Sequence, residues 1–343
     1  MAHQAPTRDK RCSRQACLAL TDPWITLACL QSYRHDIAKA CSVSYVGAAM
    51  LPVEISKRFR VSDGRKFRLA CIDPSGTCGI DIEKTEAKAL LAKGAKRLGE
   101  LQERLYAEHQ WAILVVLQGL DAAGKDSVIK HVMSEVNPQG CDVHSFKAPS
   151  ELELDHDFLW RASLALPTRG HFGIFNRSYY EEVLVVRVHP EFLNRQGLPP
   201  KLITKNIWQE RYEDINAFEL HLARNGIAPL KFFLNVSREA QRKRLLERLD
   251  DPAKQWKFNA ADVGESKLWD QYMDAYQELV RGTATEAAPW YVVPADQKWF
   301  SRLVVAAAIV ERLEAIDPKF PKVDEAELRD IAVLRAALSG GKA

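Results

Sequence analysis

The sequence predicts an α/β fold: a mostly parallel sheet flanked by helices. Three observations predict it. Short continuous apolar runs alternate with longer helical stretches. A glycine-bounded loop joins the most apolar of these runs to the helix that follows. Hydrophobic residues make up 47% of 343, enough to bury a large core and to exclude a disordered or collagen-like chain.

The elements follow in order. Residues 1–49 mix Ser, Cys, Thr and Arg without sustained periodicity, which predicts a poorly ordered N-terminal extension, with Met50 as a second candidate start. The uncharged run Ala40–Val53 lies too far into the chain for a secretory signal. Residues 50–343 then read as one enzyme-like domain. Lys84–Glu108 places Ala87, Leu90, Leu91, Leu98, Leu101 and Leu105 at helical spacing between charges, the pattern of a long amphipathic helix. Trp111–Gln118 is continuously apolar and β-branched, as suits a strand buried on both faces. Gly119–Lys125 is a loop, Asp126–Val136 a helix, and Asn137–Gly140 a turn. Asp142–Lys147 reads as a strand and Glu151–Leu166 as a helix stopped by Pro167. Gly173–Asn176 is a short strand, Lys201–Asn225 a helix ended by Gly226, and Leu230–Val236 a strand. Ser237 caps the basic helix Arg238–Leu249. Tyr291–Pro294 is a further strand and Lys298–Ala315 a final helix.

Charge and cysteine usage exclude several classes. The net charge of +3 comes from residues 1–49, with six Lys/Arg against three Asp/Glu; the remainder balances at 42 of each sign. Nucleic-acid binding is therefore not expected, and any attraction for a polyanion must be local. Seven cysteines, four of them within the first 41 residues, form no paired metal spacing and no disulfide framework, which points to a reducing compartment such as the cytoplasm. Cys12, Cys17 and His35 fit no zinc pattern. No uncharged apolar run reaches the roughly 18–20 residues that cross a bilayer.

The chemistry concentrates in Gly119-Leu-Asp-Ala-Ala-Gly-Lys-Asp-Ser127, a phosphate loop between strand and helix. Gly119, Ala122, Ala123 and Gly124 offer backbone N–H groups to phosphate oxygens, and the helix N-terminus adds partial positive charge. Lys125 supplies a full charge against the outer phosphates. Two features depart from the usual loop. Asp126 stands where Ser or Thr normally holds a metal ion, and Ser127 comes one position late. Asp121 places a carboxylate inside an anion cradle, so it needs a cation or a reacting group beside it: a metal ion, or an acceptor phosphate to orient.

A second constellation follows the Gly173–Asn176 strand. Asn176, Arg177, Glu181 and Arg187 are expected over the same sheet edge as the loop, where ligands of open α/β sheets bind. Two arginines there suit bidentate clamps on phosphate.

With these motifs the chain resembles the polyphosphate kinase 2 family. The matching pieces are the loop at 119–127, Asn-Pro-Gln-Gly at 137–140, Glu153-Leu-Asp-His-Asp-Phe-Leu-Trp-Arg161, and Ile174-Phe-Asn-Arg-Ser-Tyr-Tyr-Glu181. They continue with Trp256-Lys-Phe258 and Ala288-Pro-Trp-Tyr-Val-Val-Pro-Ala-Asp296. The resemblance runs from about Phe59 to about Ile316 and leaves residues 1–49 uncovered. It implies a thymidylate-kinase-like P-loop fold, Mg2+ (Mn2+ as the alternative), and phosphoryl transfer between inorganic polyphosphate and nucleotides. It implies that Asp121, Lys125 and Arg177 form the reaction centre, with Arg187 on substrate phosphates. Asn176 replaces the Asp of many members, a variant that resembles the class III branch, which accepts both AMP and ADP. Metal binding would then rest on Asp121, with Glu181 as a second candidate. A homo-oligomer, dimer or tetramer, is implied too.

Residues 237–265 read as a basic lid. Arg238, Arg242, Lys243, Lys254 and Lys257 would close on a charged chain and exclude water. Lys66 and Lys84 are further candidates for polyphosphate contacts. The reading is Mg2+-dependent, reversible transfer from polyphosphate to AMP or ADP, with guanine nucleotides a further possibility and no membrane partner. Two other readings fit the loop and lid alone: a nucleoside monophosphate kinase using ATP, and a non-catalytic polyphosphate binder.

Overall fold

The computed structural model describes residues 52–257 and 259–339. The extension expected over residues 1–49 lies outside them.

Six strands form one sheet: β1 (Arg60–Val61), β2 (Ala112–Gln118), β3 (Cys141–Ser145), β4 (Phe172–Asn176), β5 (Ile227–Asn235) and β6 (Trp290–Pro294). Their order is β1-β6-β5-β2-β4-β3. β2 to β6 are parallel to their neighbours, and β1 adds an antiparallel edge that no sequence pattern announced. The longer helices are α1 (Lys84–Glu108), α2 (Lys125–Val132), α3 (Ile207–Arg224), α4 (Arg238–Asp250), α5 (Trp269–Thr283), α6 (Lys298–Ile316) and α7 (Glu325–Leu338).

The core follows the hydrophobic pattern. Every residue of β2 is buried, as the unbroken apolar run requires. α6 is apolar around most of its circumference and buries Leu303 through Val310 against α1 and the sheet. At β2 the path of the chain changes sides. β3 and β4 lie on one flank of β2, and β5 and β6 on the other. The carboxyl end of β2 therefore opens into a crevice, the switch point where such sheets bind ligands.

Three expected elements differ, and two helices are additional. The helix read over Glu151–Leu166 is two short pieces, Glu151–Leu154 and Trp160–Leu164. Asp157 breaks it by accepting a bond from the Leu159 N–H at 2.9 Å. The helix read from Lys201 begins at Ile207, because Pro199 and Pro200 open a separate 3-10 turn. The helix after the phosphate loop ends at Val132 rather than Val136. α5 and α7 were not read at all; α5 buries Tyr272, Tyr276, Leu279 and Val280 at helical spacing. No helix among the described residues is long and apolar enough to cross a membrane.

Candidate active site

The phosphate loop leaves β2 at Gly119 and enters α2 at Lys125. Gly119 adopts φ +155° where a Cβ would lie 3.1 Å from the Leu234 carbonyl oxygen, so a side chain has no room. Gly124 adopts φ +114°, and Ala122 holds a left-handed φ of 63° without glycine's freedom. Lys125 is buried, and its Nζ donates back to the carbonyls of Gly119 at 2.6 Å and Leu120 at 3.3 Å. Its ammonium thus braces the loop from within. Burial pushes its pKa down and Arg177 adds to that, while Asp121 and Glu181 oppose it.

Arg177 comes from the loop after β4. Its backbone is left-handed, φ 64°, and its N–H donates to the Leu117 carbonyl at 3.0 Å, which ties this loop to the end of β2. Its guanidinium bridges two carboxylates, donating from Nη2 to Asp121 and from Nη1 to Glu181 Oε2 at 3.4 Å. The predicted trio of Asp121, Lys125 and Arg177 is therefore one assembly, with Glu181 as a fourth member. Glu181 and Asp121 hold the Arg177 guanidinium firmly charged. Burial pushes the Asp121 carboxyl up, but Lys125 and Arg177 outweigh it and hold it below its usual range. Glu181 goes the other way: burial dominates and raises it despite both cations.

That difference has a stability consequence. A carboxyl with a raised folded-state pKa binds its proton more tightly folded than unfolded, so its ionised form costs stability above that pKa. Glu181→Gln is expected to raise Tm at pH 8, and the gain should shrink as pH falls towards the ordinary carboxylate range. Thermal melts of both proteins at pH 8 and pH 5 check this; an equal Tm difference at both would refute it.

Asp126 receives the Asn176 amide at 3.0 Å and the Lys257 ammonium at 2.9 Å. Asn176 thus works as a donor to the helix start. Ser127 accepts from Arg302 Nη2 of α6 at 2.6 Å. Arg187 is half-buried. Its guanidinium donates to the Tyr212 hydroxyl at 2.6 Å, and Leu184 and Val185, rather than Arg187, line the crevice beside Gly119 and Arg177. The same crevice is closed by Glu265, Tyr272 and Tyr276, none of which had a sequence signal.

The basic helix is arranged differently from the reading above. Gln241 and Arg244, three residues apart, form its loop-facing side. Gln241 Nε2 donates to the Asp121 carbonyl at 3.1 Å. Arg244 donates to four carbonyls, those of Ala122 (3.1 Å), Ala123 (2.9 Å), Ala295 (2.6 Å) and Asp296 (2.8 Å). It fastens the phosphate loop to the exit of β6. Arg238 instead meets Asp270 at 3.7 Å on the surface, and Arg242 and Lys243 are exposed. Lys254 pairs with Asp251, whereas Lys257 reaches the phosphate-loop helix at Asp126. Lys66 and Lys84 are both exposed. Lys84 opens α1, which packs against α6.

Below the site, Lys231 and Glu219 are an almost wholly buried ion pair at 2.6 Å. Lys231 also donates to the Tyr180 hydroxyl at 2.9 Å and the Thr283 carbonyl at 2.7 Å. Glu219 accepts from the hydroxyls of Tyr179 and Tyr180, each at 2.8 Å. Both tyrosines follow Arg177 closely, so this network braces the loop that carries it. The one signal was Lys231 itself, a charge inside an apolar strand that must find a partner.

Among the described residues no three His, Cys, Asp or Glu side chains converge as a metal cage. Mg2+ seldom needs one: it takes one or two carboxylates and completes its shell with substrate phosphates and water. Asp121, placed within the phosphate loop, fits that manner of binding, and Arg177 separates it from Glu181.

The sequence and fold have known counterparts. Residues 81–321 match the family described as Polyphosphate kinase 2. A Rhodopseudomonas palustris protein named ADP-polyphosphate phosphotransferase is 46% identical over 82% of this chain and 98% of its own. A Meiothermus ruber protein named AMP/ADP-polyphosphate phosphotransferase is 44% identical over 79% of this chain and 97% of its own. The crystal structure of Polyphosphate Kinase 2 from Arthrobacter aurescens superposes with a TM-score of 0.75 at 40% identity, covering 85% of this chain and 99% of that one. By sequence and by fold, the chain belongs to the Polyphosphate kinase 2 family.

Proposed function

We propose that this chain transfers phosphoryl groups reversibly between inorganic polyphosphate and AMP or ADP. One observation carries the reading: Arg177 joins the phosphate loop to the neighbouring strand through Asp121 and Glu181, so two phosphate-binding elements share one charge assembly. The names of the relatives supply the substrate class.

The residues divide the work. The backbone of Gly119–Gly124 and the start of α2 cradle the terminal phosphates of polyphosphate. A nucleotide phosphate oxygen attacks the terminal phosphorus in line, and the bond to the next polyphosphate oxygen breaks. Such a reaction asks for positioning and charge neutralisation rather than covalent help. Lys125 and Arg177 neutralise the migrating charge. Asp121 would hold Mg2+, or Mn2+ in its place, or would orient the acceptor oxygen. The bound metal would add Lewis-acid charge neutralisation. Lys257 and the exposed cations of α4 guide the rest of the polyanion, and residues 237–265 act as the lid. Asn176 supports acceptance of both AMP and ADP; guanine nucleotides share the phosphates this site reads. The scattered cysteines support a cytoplasmic setting. A homo-oligomer is supported by the resemblance.

The test is nucleotide formation from AMP and, separately, ADP with long-chain polyphosphate and Mg2+, without ATP. Formation of ATP from ADP, and of ADP and ATP from AMP, supports the proposal. Product that appears only when ATP is supplied to AMP would assign the site to an ordinary nucleotide kinase.

A further inference from the structure

Among the described residues nothing packs on α7. Asp324 and Glu327 close a capping box at its start, yet every residue from Glu325 to Leu338 is exposed. A helix of 14 residues is marginal in water unless an apolar face packs on something. α7 has such a face: Leu328, Ile331, Leu334 and Leu338 lie along one side, each at least half exposed. It also stands clear of the catalytic domain's core. The strap Asp317–Asp324 holds two prolines and separates it from α6.

The charge pattern says what fits this face. Ile331 is its centre. Leu328 and Leu334 lie three residues before and after it, and Glu327 and Arg335 four before and after. A two-fold axis through Ile331 would set two copies antiparallel. It would place Leu328 at the same height as Leu334 of the other copy, and Glu327 at the same height as Arg335 of the other copy. Residue i then meets j and j meets i, as an isologous contact requires. A parallel arrangement would instead oppose Glu327 to itself and Arg335 to itself. We infer that α7 is an antiparallel docking helix for a second copy of this chain. The inference is independent of the catalytic reading.

The test is sedimentation velocity of the full chain across a concentration series, with phosphotransferase activity as the folding control. The wild type should dimerise reversibly. Ile331→Glu, Glu327→Arg and Arg335→Glu should each weaken the dimer at least about tenfold. The double variant Glu327→Arg/Arg335→Glu should dimerise again. An equimolar mixture of the two single reversals should form a heterodimer, since each then meets its opposite charge twice. Reversals that leave the association unchanged would overturn the proposal. So would a chain monomeric at every concentration whose Tm falls in Ile331→Glu, because the face would then pack on its own body.

Discussion

Lys125→Ala is expected to lower kcat for phosphoryl transfer by at least about 10²–10³-fold, the usual cost of removing one preorganised charge donor. The expectation rests on what surrounds the ammonium. Without substrate it is buried and spends its hydrogen bonds on the carbonyls of Gly119 and Leu120. It is therefore held at the mouth of the loop before any phosphate arrives, at no reorganisation cost during the reaction. Lys125→Arg should not rescue activity, because a planar fork cannot take the place of a compact ammonium between those carbonyls. Stability should survive, since burying an amine disfavours its charged form and alanine removes that cost. Steady-state kinetics with polyphosphate and ADP, beside a melt of each variant, check both halves. A loss under about tenfold in Lys125→Ala would take this residue out of the reaction centre.

The largest effect on stability is expected at Lys231→Met, about 3–5 kcal/mol in denaturant unfolding, the range for breaking one side of a buried ion pair. Methionine fills much the same volume, so the loss is electrostatic. Glu219 would keep its two tyrosine donors but lose its counter-charge in a buried place. Removing the stranded charge as well, with Lys231→Met/Glu219→Gln, should recover a large part of that loss. Equal destabilisation in the single and double variants would show that shape, not charge, sets the cost. Because Tyr179 and Tyr180 tie this network to the Arg177 loop, the single variant should also weaken nucleotide turnover in native conditions.

Periodicity made the parallel strands, α1 and α6 legible, because burial on one or both faces writes itself into the spacing of apolar residues. α5 shares that signature and was overlooked between more conspicuous neighbours. β1 is two residues long and has no period to read. The split between Glu151 and Leu164 depends on one Asp side chain competing with the helix, which composition alone does not reveal. Lys125, Asp121 and Arg177 were legible because a short motif fixes each of them next to a strand end. Arg244 and Arg302 were not: they act on the phosphate loop from elements more than a hundred positions away in sequence. The partner of Arg187, the Tyr212 hydroxyl, comes from α3 and leaves no mark in the motif either.

Arg244 sits about midway along α4 and is nailed at four points to the floor of the site. A lever fixed there cannot swing from its base. The fulcrum of any closing stroke must lie beyond Arg244, and only the outer arm, which carries Leu249, Lys254, Trp256 and Lys257, is left to travel. If residues 237–265 close as the proposed lid, the end pinned by Arg244 would stay still while the far end moved.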